Sequence, residues 1–412
     1  MSVPALRPDP ARLISDLRRL ASLTATDAGA QRVAWTDTWA AAREFERELL
    51  GELPVTIELD AAGNMWTTLA GERPEALVIG SHIDSVPDGG WLDGCLGVLA
   101  GIEVLRMLAA ASGPPPFTVR LVDWADEEGA RFGLSLMGSM AATGRLDPAF
   151  VAELRDAGGV TAREALAGHG VDVTRMPEAR GGLDGAIGYL ELHIEQGPVL
   201  ESRGLPLAVV SGTYGAERWA VRFTGQAAHA GSTPMDLRRD ALLAASRLAL
   251  AVRELAGAHG GVGTVGRITA EPGIVTAVAG LATALVDQRH NDAGALAAAH
   301  AGAVAAADAI AAEERVEVEW SPLFQIHPIP FDAGLIDAAA AIVEELQGVD
   351  VRLPSGPLHD AAWVADSGVP TVMLFVRSKR GLSHTREEDT DEPDLALGLR
   401  ALARLAVTVL SG

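Results

Sequence analysis

The sequence predicts an α/β protein of two domains: a mostly parallel-sheet domain carried by two separate chain segments, and an α+β domain inserted between them. Three observations predict it. Short aliphatic runs alternate with helical periodicity up to about residue 140. From about residue 212 the pattern changes to alternating strands separated by long Ala-rich helices. Residue types suited to chemistry gather before residue 211 and resume only after 328. The boundaries are therefore 1–211 with 328–412 for the first domain and 212–327 for the insertion. A chain of 412 residues with 48% apolar content has enough aliphatic material for both cores.

In chain order, Ala11 to Leu23 has helical periodicity behind Asp9 and Pro10, which are start signals. Ala76-Leu77-Val78-Ile79 and Val119-Arg120-Leu121-Val122 read as strands flanking an apolar helix over Gly97 to Ala111, a βαβ unit. Val151 to Gly170 reads as two short helices. In the insertion, Trp219 to Phe223 alternates as a strand and Arg238 to Leu255 reads as a helix. Thr283 to Asp287 is a second strand, Ala293 to Ala312 a second helix and Val316 to Trp320 a third strand.

A formal net charge of −22 without a basic patch excludes nucleic acid and anionic membrane surfaces as partners. The single cysteine, Cys95, excludes an intramolecular disulfide and suits a reducing compartment; it reads as a buried residue opening a helix. Met1 to Leu23 has no signal-peptide pattern, and no segment is expected to be long and apolar enough to cross a bilayer. A cytoplasmic location is the resulting expectation.

Open α/β sheets place ligands beyond the carboxyl ends of their strands, where loops vary while the sheet stays rigid. His82, the Glu127-Glu128 pair, His193 and His384 each follow a strand-like run, and Asp93 lies between the first strand and its helix. Imidazole mixed with carboxylate suits Zn²⁺, Mn²⁺, Co²⁺ or Ni²⁺, whereas an all-oxygen set would suit Mg²⁺ or Ca²⁺. Two ions sharing so few ligands require a bridging carboxylate, and Asp93 is placed for that role. Asp84 could accept the second N–H of His82 and so fix its tautomer. Two adjacent carboxylates do not ionise equally easily in one environment. Glu128 is therefore read as a ligand, and Glu127 as the general base that takes a proton from the attacking water and returns it to the leaving amine.

These motifs together resemble the peptidase M20 superfamily, in its branch of N-carbamoyl-amino-acid hydrolases, β-ureidopropionases and allantoate amidohydrolases. The resemblance rests on Gly80 to Pro87, Asp93-Gly94, Trp124 to Phe132, Glu191 to Pro198, His229 to Met235, Arg238 to Asp240 and Leu382 to His384. It implies one metal held by His82 and His193, a second by Glu128 and His384, with Asp93 bridging and Glu127 as base. It implies that the insertion is a lid and dimerisation domain, making the protein a homodimer. His229 would stabilise the oxyanion, commonly from the partner subunit. Gln196 would contact the substrate and Arg289 would clamp its carboxylate.

Three stretches depart from the family pattern. Thr276 stands where the family has asparagine, and a hydroxyl lacks the paired donor and acceptor of an amide. The segment Ser355-Gly356-Pro357-Leu358-His359-Asp360 carries Pro-Leu in place of a small flexible pair, near the expected substrate pocket that includes His359. Tyr214 to Trp219 follows neither the allantoate nor the carbamoylase sequence. All three bear on substrate choice. The resemblance implies hydrolysis of an N-carbamoyl-amino acid, with allantoate or ureidoglycine, and then N-acyl or peptide bonds, as alternatives. A metal-binding dimer without catalysis and a two-metal phosphoesterase are the readings from other classes.

Overall fold

The computed structural model describes residues 7–412. The chain divides into two compact units, Met1–Ser211 with Phe331–Gly412, and Gly212–Pro330.

In the first unit, four parallel strands form the middle of the sheet in the order Thr371–Val376, Ala186–Ile194, Arg73–His82, Phe117–Trp124. Antiparallel neighbours flank them: Leu207–Thr213 on one side and Met65–Leu69 on the other. Leu77, Val78, Ile79, Val119 and Val122 have no exposed surface, as expected of strands covered on both faces. The connecting helix Cys95–Ala109 is buried at every position except Arg106 and Ala109. Gly97 is required there, because a Cβ would lie 2.5 Å from the Ser81 Cβ and 2.6 Å from the Leu192 carbonyl oxygen. The helix thus packs directly beneath the strands that carry His82 and His193.

The second unit is a four-stranded antiparallel sheet in the order Val262–Glu271, Leu281–His290, Gly215–Thr224, Glu317–Ile326. Helices Ala241–His259 and Ala293–Glu314 pack on it around Phe223, Leu248, Val252, Ala284, Val286 and Ala303. The first of these helices starts at 241 because the Asp240 side chain accepts from the Leu242 and Leu243 N–H groups, an N-cap that leaves Arg238 and Arg239 outside.

Helix Ala293–Glu314 corrects one expectation: with 22 residues and mean hydropathy 1.5, it is long and apolar enough to cross a membrane. Alanine supplies that hydropathy without bulk. The buried positions Leu296, Ala299, Ala303, Ala307 and Ile310 recur every three or four residues, the stripe of a helix lying on a sheet.

Candidate metal centre

The parallel strands deliver the site residues from one edge of the sheet. His82 ends its strand, His193 is the next-to-last residue of its own, and Asp126 to Glu128 follow the strand ending at Trp124. His384 comes later, in a loop after Thr371–Val376. Three of these turns hold a non-glycine residue in the left-handed region: Asp126 (φ 59°), Gln196 (φ 54°) and His384 (φ 56°). Such conformations persist where the surroundings impose them, and they gather at functional sites.

Asp93 stands at the centre. Its Oδ1 lies 3.2 Å from His193 Nε2 and 3.8 Å from His82 Nε2, while its Oδ2 lies 3.4 Å from His384 Nε2. Glu128 Oε2 is also 3.4 Å from His384 Nε2. The donors form two groups, His82, Asp93, His193 and Asp93, Glu128, His384, with Asp93 common to both. A third possible group, Glu191, His193 and His359, is preempted: the Glu191 oxygens already accept from Ser81 Oγ at 3.1 Å and Tyr189 Oη at 3.0 Å.

These residues fit divalent metals on three grounds. Two ligand atoms sharing one tetrahedral ion at about 2.1 Å each stand ~3.4 Å apart, close to the separations observed and longer than good hydrogen bonds. The imidazoles are also set for ligation. His82 Nδ1 lies 3.2 Å from the Asp84 carbonyl and His193 Nδ1 2.9 Å from the Ile194 carbonyl, so both Nδ1 atoms carry the proton and both Nε2 atoms offer a lone pair. His193 Nε2 is buried without a hydrogen bond. Finally, the carboxylates outnumber the local cations. Burial, with Glu128 as a like-charged neighbour, pushes Glu127 well above the usual range; burial and Asp93 do the same to Glu128. Burial and Asp84 raise Asp126 to about 8. Divalent cations would relieve this surplus of negative charge.

Asp84 does more than face His82. Its carboxylate is 3.5 Å from His82 Nδ1, farther than its own carbonyl, and it accepts the Glu127 N–H at 3.2 Å and the Glu128 N–H at 3.1 Å. It thus pins the turn bearing both glutamates. Glu127 is 7% exposed, and its Oε2 lies 3.7 Å from His82 Nε2. Gln196 Nε2 donates to Asp93 Oδ2 at 2.7 Å. His359 is 1% exposed, with its ring 4.4 Å from that of His193 and neither nitrogen hydrogen-bonded. In this conformation it backs the His193 ring rather than facing solvent. Burial, with the His193 ring packed against it, holds it well below the usual histidine range.

The second unit carries His229, Thr276 and Arg289. His229 pairs with Ala277, and the neighbouring Ala230 N–H donates to the Thr276 carbonyl at 2.8 Å, so His229 and Thr276 sit together. His229 Nδ1 accepts the Gly231 N–H at 3.1 Å, which leaves Nε2–H as a donor. Arg238 braces this turn by donating to the Thr233 carbonyl at 3.1 Å and the Ala230 carbonyl at 2.6 Å. Arg289 meets Asp287 through two bonds, Nε to Oδ1 at 2.8 Å and Nη2 to Oδ2 at 3.0 Å, and Arg218 Nε donates to the same carboxylate at 2.8 Å.

Two residues that sequence reasoning did not single out join the site. Glu388 accepts the Leu92 and Asp93 N–H groups at 2.9 and 3.0 Å, and Trp35 Nε1 donates to Asp126 Oδ2 at 2.8 Å. Glu388 lies four residues after His384 inside the run Glu387-Glu388-Asp389, where no local signal distinguishes it.

Imidazoles and carboxylates gathered around one shared aspartate at the ends of parallel strands define a metal-dependent hydrolase. Residues 78–408 match the model of peptidase family M20/M25/M40, and the chain belongs to that family. Within it the chain is an amidohydrolase, acting on carbon–nitrogen bonds other than peptide bonds. It is 36% identical over 379 residues to N-carbamoyl-L-amino acid amidohydrolase of Geobacillus stearothermophilus, covering 91% of this chain and 92% of that protein. It is 34% identical over 390 residues to allantoate amidohydrolase of Escherichia coli K12, covering 93% and 94%. The crystal structure of a hydantoinase/carbamoylase family amidase from Burkholderia multivorans superposes with a TM-score of 0.91 at 32% identity, over 99% of this chain and 100% of that one.

Proposed function

We propose that the chain hydrolyses N-carbamoyl-amino acids to the amino acid, CO₂ and ammonia, using two divalent ions per subunit drawn from Zn²⁺, Mn²⁺, Co²⁺ or Ni²⁺. The observation that carries this reading is the pair of donor groups sharing Asp93. His82, His193 and Asp93 would hold one ion, and Asp93, Glu128 and His384 the other. The ions, when bound, supply Lewis acidity towards the ureido oxygen and ease deprotonation of the attacking water.

The remaining roles belong to side chains. Glu127 takes the proton of the attacking water and passes it to the leaving nitrogen; its burial gives it the proton affinity that this double role requires. His229 offers Nε2–H to the developing oxyanion, since its Nδ1 is already an acceptor. Arg289 clamps the substrate carboxylate, and its two-bond pairing with Asp287 supports this because it shows the planar fork such a carboxylate needs. Gln196 and Thr276 contact the substrate, and His359 keeps the pocket's shape behind His193.

The chain acts as a homodimer with His229 working in trans. His229 and Thr276 lie at or beyond the Leu281 end of strand Leu281–His290, where Leu281 pairs with Thr224, whereas Arg289 lies at the other end opposite Ala216. Eight residues of strand span ~27 Å, several times the length of a carbamoyl amino acid. One substrate therefore meets His229 and Arg289 from different chains. The acidic charge and single buried cysteine support a cytoplasmic location.

Allantoate is the second reading, favoured by a relative of that activity at 34% identity. The test is turnover by chelator-stripped protein after restoring each metal, read as ammonia release from N-carbamoyl amino acids, N-carbamoyl-β-alanine and allantoate and as amino-acid release from N-acetyl amino acids. Turnover of carbamoyl amino acids above all others is expected. Preference for allantoate would install the second reading, and metal-loaded protein silent on every ureido compound would refute both.

A further inference from the structure

Asp93 belongs to both donor groups, so whatever fixes Asp93 sets the geometry of the whole centre. It stands just before helix Cys95–Ala109, beside Gly94, whose φ is 66° and whose added Cβ would lie 2.3 Å from the His82 ring. The turn is thus pressed under His82 and needs an external hold. Glu388, 2% exposed, provides it: Oε1 accepts the N–H groups of Leu92 at 2.9 Å and Asp93 at 3.0 Å. Its Oε2 lies 2.9 Å from Ser383 Oγ, and the same hydroxyl lies 2.6 Å from Asp93 Oδ2. Ser383 immediately precedes His384. Position 90 must be glycine, since a Cβ there would stand 2.1 Å from the Glu388 carboxyl carbon.

We propose that Glu388 is a positioning residue for the metal centre: it ties the Asp93 turn to the His384 loop and thereby sets the affinity of the Asp93–Glu128–His384 group for its ion. This rests on the metal-centre reading given under Proposed function. The loop does not depend on Glu388 for its closure. Lys379 pairs with Asp389 at 2.9 Å and Asp391 at 2.8 Å, Arg377 with Asp394 at 2.6 Å, and Arg380 with Glu387 at 3.0 Å. Removing the Glu388 carboxylate therefore cuts the link to Asp93 and leaves those ion pairs in place. Glutamine preserves the link, because its carbonyl accepts both N–H groups and its amide nitrogen donates to Ser383 Oγ, whose hydrogen remains on Asp93.

The test titrates chelator-stripped wild type, Glu388→Ala, Glu388→Gln and Ser383→Ala with Zn²⁺ and with Mn²⁺ against a competing chelator, and records thermal unfolding of each stripped protein. For Glu388→Ala, the weaker of two binding events is expected to lose roughly ten- to hundredfold in affinity, the range typical of residues that orient metal ligands. Its stripped melting temperature should stay near that of wild type. Glu388→Gln should bind within a few-fold of wild type, and Ser383→Ala should weaken in the same direction as Glu388→Ala. Wild-type affinity in Glu388→Ala would overturn the inference, as would equal losses in the alanine and glutamine variants. If Glu388→Ala does not fold, wild-type affinity in Ser383→Ala overturns it instead. Wild type that binds no metal would sink the metal-centre reading, and this inference with it.

Discussion

Mixing two inactive variants should restore activity. The geometry behind this prediction lies wholly within the inserted unit. His229 sits at or beyond one end of strand Leu281–His290 and Arg289 at the other, ~27 Å apart along the strand. On the proposed roles, a substrate whose carboxylate is held by Arg289 would take its oxyanion donor from a second chain. In a mixed dimer of Glu127→Gln and His229→Ala subunits, the His229→Ala chain keeps Glu127 and receives an intact His229 from its partner. The other site has lost its base. Random subunit exchange makes about half of the dimers mixed, each with one complete site of two, so the mixture recovers about one quarter of wild-type activity. Neither parent approaches this, because a lost oxyanion donor costs roughly 10²–10³ in kcat and a lost base roughly 10²–10⁴. The assay is ammonia release from differently tagged subunits co-expressed and separated by sequential affinity steps. Purified mixed dimers no more active than the mean of their parents would refute the trans assignment, and a monomer in solution would refute the dimer.

Glu127→Gln alone should retain metal content by elemental analysis while kcat falls roughly 10²–10⁴-fold, and a near wild-type rate would remove Glu127 as the base. Arg289→Ala should weaken acid substrates far more than the corresponding amides. Part of that loss is repulsion from Asp287, which is left with Arg218, so adding Asp287→Asn should return some affinity; equal losses on acid and amide would count against the clamp. Metal-stripped protein should grow less stable as pH rises. Asp126 sits at about 8 against an ordinary 3.8, and Glu388 at about 7 against 4.5, both raised chiefly by burial. The folded state binds these protons more tightly than the unfolded chain, so their contribution is present at acid pH and is lost as pH climbs through about 7 to 8. Melting temperatures of stripped and loaded protein should therefore diverge from about pH 5.5 to about pH 8.5, and a stripped protein that gains stability over that interval would contradict the account.

The sequence disclosed those parts of the centre whose position follows from chain direction. In a parallel sheet every strand ends at the same edge, so His82, His193 and the Glu127-Glu128 pair, each after an aliphatic run, could be placed together from order alone. Glu388 was not legible, for a reason of distance. Its neighbours Glu387 and Asp389 pair with Arg380 and Lys379 close by in the chain, whereas what distinguishes Glu388 is a pair of backbone N–H groups some 295 positions away. A backbone donor has no residue identity, and so leaves no mark on the sequence that its acceptor could match. The same limit explains helix Ala293–Glu314: hydropathy counts apolar residues but does not report which face meets a sheet. It applies to His229 and Arg289 as well: the family resemblance implies a role for each, but nothing in the sequence says how far apart the insertion holds them. Only the register, with Leu281 opposite Thr224 and Arg289 opposite Ala216, sets them at opposite ends and turns a choice between cis and trans into a question of strand length.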